Sequence, residues 1–194
     1  MKKRIVARAV ALCLVASALI LAGCSDNATK PKVEKPRYPE AATQEIVIDN
    51  LVLSYKDHDI DQFAKLLHAD YIWCNQASDV LQGLPDHCTR AEEIQHTGNM
   101  FLAADGKHPT NPHLNLETLS LVISPGPWTQ VMEINGTPCS DCWETTREYM
   151  LEVVFSDSGN ALVANSLVKL TIVGVDVGGR NVYRIIRCDD MRKI

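Results

Sequence analysis

The chain has 194 residues, 46% of them hydrophobic and 6% aromatic, which is the composition of a folded domain and excludes a disordered or collagen-like chain. Its 19 basic and 24 acidic residues give a formal charge of −5, and four of the basic ones (Lys2, Lys3, Arg4, Arg8) fall in the first 23 positions, leaving about −9 on the remainder. An acidic body without a stripe of Lys and Arg speaks against nucleic acid as a partner, because phosphate binding needs clustered cations.

The cationic start is followed by an apolar run, Ala9 to Gly23. About fifteen residues suit the core of a secretory signal and fall short of the ~20 that a membrane-spanning helix needs. The run ends in Leu21-Ala22-Gly23-Cys24, which resembles the lipobox of bacterial lipoproteins. That resemblance implies removal of residues 1–23, attachment of diacylglycerol to Cys24, and acylation of the new amino group. Two or more acyl chains hold a protein firmly on a bilayer where one does so only marginally. Ser25 rather than Asp follows the cysteine, and in enteric-type bacteria this resembles the pattern sent to the outer membrane. The expected location is therefore the cell envelope, facing the periplasm, with the membrane as a partner through the lipid. Residues 24–40 carry Pro31, Pro36 and Pro39 among Lys and Asn, without apolar periodicity. They read as a semi-extended tether.

Residues 41–194 are expected to form one domain. Ile48, Leu51, Val52 and Tyr55 make one stripe of a helix over about 41–56. Asp59 with Gln62 reads as a capping box opening a second helix, whose apolar side is Ile60, Phe63 and Leu67. Tyr71–Asn75 reads as a short strand, followed by a loop with Gly83 and Pro85. Thr89 with Glu92 forms another capping box, for a third helix running to about Leu102. From there the period becomes twofold. Leu114–Ile123 alternates but slips phase between Leu116 and Leu119, which predicts a bulge. Trp128–Ile134 is a strand leading into a loop, NGTPCSDC. Trp143, Thr145, Arg147, Tyr149, Leu151, Val153 and Phe155 then share one face of a long strand, with Glu144, Thr146, Glu148 and Glu152 on the other. Strands over about 161–173 and 182–188 complete the chain. Helices first and strands after them predict an α+β fold, a bent antiparallel sheet packed on three N-terminal helices.

SYKDHDIDQFAKLLHADYIW resembles the opening of the SnoaL-like family, which shares the fold of nuclear transport factor two. CTRAEEIQHTGNMF resembles the third helix of such lipoproteins, and YRIIRCDDM their last strand. The resemblance implies a cone-shaped sheet wrapped round helices, with a pocket at the open end. Family members include isomerases, dehydratases, and non-catalytic binding or dimerisation modules. Its steroid-isomerase branch needs a carboxylate where this chain has Asn75 and a tyrosine where it has Leu51. Asn does not accept a proton and Leu does not hydrogen-bond an oxyanion, so no catalytic residue is assigned. His68 and Asp70 read as helix-end capping.

Five cysteines fall in the domain, in a compartment where cysteines tend to pair. Cys74 and Cys88 flank the loop before the third helix and are expected to be joined. Closing about fifteen residues is worth ~3 kcal/mol in the chain-entropy model. Cys139 and Cys142 are left to each other, with a redox couple or half a zinc site as alternatives, and Cys188 stays unpaired. No cofactor or metal is assigned. Arg147 is the lone cation on the apolar face of the long strand. It either meets a partner carboxylate or, beside Trp143 and Tyr149, fixes the anionic head of an amphipathic ligand. The expected function is a lipid-anchored domain that binds a small molecule or an envelope protein without turnover. A pocket enzyme and a dimerising assembly module are the alternatives.

Overall fold

Thr43 opens the first helix of the computed structural model, which describes residues 37–191. The expected signal segment, Cys24 and most of the tether lie outside these residues. The hydroxyl of Thr43 accepts from the Ile46 N–H and starts α1 (Gln44–Asp57), which buries Val47, Ile48, Leu51 and Tyr55. The helix stops at His58, whose φ of 52° is left-handed. Asp59 then caps α2 (Ile60–Leu66), accepting from the Gln62 N–H at 3.0 Å. Strand β1 (Leu67–Cys74) follows at once, starting four residues before the expected Tyr71. The loop expected after it holds a four-residue helix, α3 (Ala77–Val80), and a short strand, β2 (His87–Thr89). Helix α4 (Arg90–Ala104) begins with the complete box predicted from Thr89 and Glu92.

Strands β3 (Leu116–Ile123), β4 (Thr129–Ile134), β5 (Thr137–Phe155), β6 (Ala161–Asp176) and β7 (Asn181–Met191) follow. The sheet order is β2-β1-β7-β6-β5-β3, with β4 added on β5. Strand β5 serves both partners along one edge: its first part pairs β4 and its second part β3, while β6 takes the other edge. The predicted slip in β3 is a register shift between Leu116 and Thr118.

Two expectations are corrected. The sheet is not wholly antiparallel, because β1 and β7 run parallel. A parallel pair needs a long crossover, and the whole chain between the first strand and the last supplies it. The loop expected over 135–142 is only a two-residue turn. Asn135 (φ 51°) and Gly136 (φ 79°) both adopt the positive φ that a type I′ hairpin requires, and Ile134 pairs Thr137 directly.

The result is an α+β domain with a bent, unclosed sheet and a few helices on its inner face. Val168, Leu170, Ile172 and Ile185 from the sheet meet Val47, Leu51, Phe63 and Phe101 from the helices. Tyr55 and Phe101 pack edge to face, with ring centroids 5.1 Å apart. The chain joins the domain earlier than position 41. Arg37 pairs with Asp57, the Tyr38 hydroxyl donates to Asp57 at 2.8 Å, and Asn50 Nδ2 donates to the Pro39 carbonyl at 2.7 Å. Residues 37–40 thus belong to the fold rather than to the tether.

Candidate functional site

Between α1, α2, α4 and the inner face of the sheet lies a cavity of about 230 Å³. Its wall is mainly aliphatic and aromatic: Leu51 and Tyr55 from α1, Phe63 from α2, Tyr71 and Trp73 from β1, Met100 from α4, Leu121 and Ile123 from β3, and Tyr149 and Leu151 from β5. Val168, Leu170, Ile185 and Cys188 close its base. The same alternation that buries one face of β5 and β6 thus builds the wall.

The polar groups of the wall are few. Helix α4 brings Glu93, His96 and Thr97 to it, one helical turn apart. Thr97 is fully buried, and its hydroxyl donates to Glu93 Oε1 at 3.3 Å. Removal from water pushes the Glu93 carboxyl above the usual carboxylate range, against the opposing pull of Thr97 and His96. Burial also raises Tyr55, Tyr71 and Cys188, so all three are neutral at physiological pH. Tyr149 donates to Asp190 Oδ1 at 3.2 Å. No Lys or Arg lines this cavity among the described residues.

Of the three residues expected to bind a ligand, the structure places only Tyr149 on the cavity wall. Arg147 is silenced. Its Nη1 donates to Glu45 Oε2 at 3.0 Å and its Nη2 to Glu45 Oε1 at 2.6 Å. Nη2 also reaches the Gly126 carbonyl and Nε the Thr145 hydroxyl, while the guanidinium lies 5.1 Å from the Trp128 ring centre. The carboxylate comes from the first turn of α1, which reaches β5 at Arg147; an anionic head for this residue is therefore withdrawn. Trp143 lies away from the cavity too. Its indole N–H donates to Asp141, which also accepts from Asn181 and Tyr183. Gly174 lies under that carboxylate, where a Cβ would collide with it.

Leu51 lines the cavity as an apolar group. Asn75 is occupied elsewhere, accepting from Trp73 Nε1 at 3.1 Å and donating to the Pro85 carbonyl at 2.8 Å. His68 accepts from the Asp70 N–H at 3.1 Å within β1, outside the cavity, and the pair lies in the strand rather than capping a helix end.

The cysteines divide differently from expectation. Cys139 and Cys142 form a disulfide, but Cys74 and Cys88 are free thiols, as is Cys188. The register of β1 on β2 explains the correction: Trp73 pairs with Cys88, and Cys74 with His87. Cross-strand partners share a face and neighbours alternate, so the two sulfurs leave opposite faces of the sheet. Among the described residues no three His, Cys, Asp or Glu side chains converge to hold a metal ion. No helix among them is long and apolar enough to cross a membrane.

Glu93 is the site residue that sequence reading missed. It stands beside Glu92 of the capping box, and the pair reads as an acidic first turn of the kind that helix dipoles favour. Glu93, Thr97 and Met100 are nevertheless spaced i, i+4, i+7, one stripe of the helix, and that spacing is the available signal.

No family model matches the sequence, and no curated relative does. Solved structures do share the fold. An NTF2-like protein of unknown function in nutrient uptake from Rhodospirillum rubrum aligns over 77% of this chain and 98% of that chain, at 12% identity and a TM-score of 0.50. A conserved protein from Planctomyces limnophilus aligns over 76% and 91%, at 7% identity and a TM-score of 0.51. Hexachlorocyclohexane dehydrochlorinase LinA-type3 from Novosphingobium barchaimii aligns over 76% and 82%, also at 7% identity and a TM-score of 0.51. At such identities the likeness establishes an NTF2-like fold and carries no chemistry with it.

Proposed function

We propose that this is a lipid-anchored cell-envelope protein whose domain holds a small, largely apolar molecule in the cavity without turning it over. The observation that carries the reading is the cavity itself: aromatic and aliphatic walls with a small set of polar groups converging from α4. Binding sites for small molecules have this composition, the walls supplying affinity and the polar groups orientation. Native mass spectrometry of the full chain purified from membranes is expected to reveal a retained small molecule. A spectrum holding the bare polypeptide mass alone, under conditions that preserve the fold, contradicts it.

The anchor half of the proposal rests on the charged start, the apolar run and Leu21-Ala22-Gly23-Cys24. Wild-type protein is expected to take up labelled palmitate and fractionate with membranes, and Cys24→Ser to lose the label. If neither protein takes up label and the two fractionate alike, the anchor is wrong.

One observation favours a second reading, turnover by acid–base chemistry. A carboxyl and an imidazole, Glu93 and His96, line one cavity three residues apart on α4.

A further inference from the structure

Several buried and half-buried charges elsewhere among the described residues are matched. Arg147 has Glu45, Asp189 has Arg187 at 2.7 Å, and Asp141 accepts three side-chain hydrogen bonds. Glu93 stands apart from them. The one hydrogen bond to its carboxyl comes from a neutral hydroxyl on its own helix, Thr97, and no Lys or Arg lies within ion-pair distance of it among the described residues. The titratable groups facing it are Tyr55 from α1, Tyr71 from β1, Cys88 from β2, Cys188 from β7 and His96 from α4. None of these is a permanent cation, and the cavity residues contributed by α2 and β3 are apolar.

A carboxyl without a counter-charge, at the edge of a cavity walled by aromatic rings, complements one ligand chemistry better than any other. We propose that the cavity takes a small organic cation, an amine or quaternary ammonium on an apolar body, with its charge toward Glu93 and its substituents against the rings of Tyr55, Tyr71, Trp73 and Tyr149. The inference rests on the cavity being a binding site and adds the class of ligand. Aromatic faces attract a desolvated cation through the negative face of the ring, and the carboxylate supplies the opposite charge. Burial raises the Glu93 carboxyl above the usual carboxylate range because no fixed cation there compensates its charge; a bound cation supplies that compensation. An anion would find no fixed positive group on the wall, and an uncharged molecule would use the rings only through dispersion.

Calorimetric titration of the full-length chain at about pH 8, where an ordinary carboxyl is ionised, with three probes of similar shape decides the matter. These are benzyltrimethylammonium, 2-phenylethanol and phenylacetate. The cation is expected to bind at least about tenfold more tightly than the alcohol, equivalent to ~1.4 kcal/mol, and phenylacetate more weakly than both. Glu93→Gln preserves shape and should lose the preference for the cation while still binding the alcohol. Equal or tighter binding of the alcohol or of phenylacetate by the wild type overturns the cation proposal and leaves the cavity a binding site. So does a Glu93→Gln protein that keeps the preference. If none of the three probes binds, the cavity reading falls, and this inference with it.

Discussion

Glu45→Ala is expected to destabilise the domain by about 2–4 kcal/mol, more than its position half-exposed to solvent would suggest. The cost arises on the other side of the ion pair. Arg147 is only 2% exposed, and Glu45 is its sole carboxylate partner among the described residues, gripping both terminal nitrogens. Breaking a buried pair by deleting one member costs about 3–5 kcal/mol, because the survivor is left charged and out of water. The estimate is reduced here because one partner is solvated and because Gly126 and Thr145 still accept from the guanidinium. Arg147→Leu should cost less, since it removes the buried charge and leaves a carboxylate free to hydrate.

The same pair gives the acid side of the stability curve. The hydrogen bonds from Arg147 hold Glu45 below the usual carboxylate range, aided by Trp128 and opposed by partial burial. Its contribution is therefore fully present above the unfolded carboxyl's pKa and is lost as pH falls through the lower folded value. Urea melts followed by circular dichroism at neutral pH and in acid measure both effects. A Glu45→Ala protein within 0.5 kcal/mol of wild type, an interval about the size of an ordinary surface substitution, would show that Arg147 is satisfied without it.

Much of the frame was legible because it rests on local rules. The Thr89–Glu92 box, the Asp59 cap and the apolar stripe of α1 depend on residues three and four apart. The first forms as read, Asp59 caps α2 without the reciprocal Gln62 bond of the expected box, and Ile48, Leu51 and Tyr55 of the stripe are buried while Val52 is only partly so. The twofold period of β5 likewise predicted which side chains face inward, Arg147 among them. What the alternation does not contain is the partner. Glu45 lies 102 positions away and meets Arg147 only because folding brings the first turn of α1 to β5. Cys74 and Cys88 failed for a similar reason. Loop length says that two cysteines can meet, whereas the register of β1 on β2 decides that their side chains point apart. The NGTPCSDC segment was misread differently, since Asn-Gly is a hairpin signal and the residues after it continue the strand. Glu93 was hidden by its neighbour, a capping glutamate one position earlier on the helix.

The cavity could be recognised only once the sheet's bend was known, and its role can be tested by filling it. Leu151 projects into it from β5, and Leu151→Trp should occupy space that a ligand needs. Overpacking of this kind costs about 1–3 kcal/mol, so a folded protein is expected, with a lowered melting temperature. Val163 lies on β6 outside the cavity, 56% exposed, and Val163→Trp adds the same indole without touching the site. The direct measurement is a fluorescence titration of the three proteins with N-phenyl-1-naphthylamine, an uncharged apolar probe. Saturable binding is predicted for the wild type and for Val163→Trp, weakened at least about tenfold in Leu151→Trp, a loss of ~1.4 kcal/mol. Equal binding by all three proteins, or none by the wild type, would contradict the claim that this cavity is the functional site.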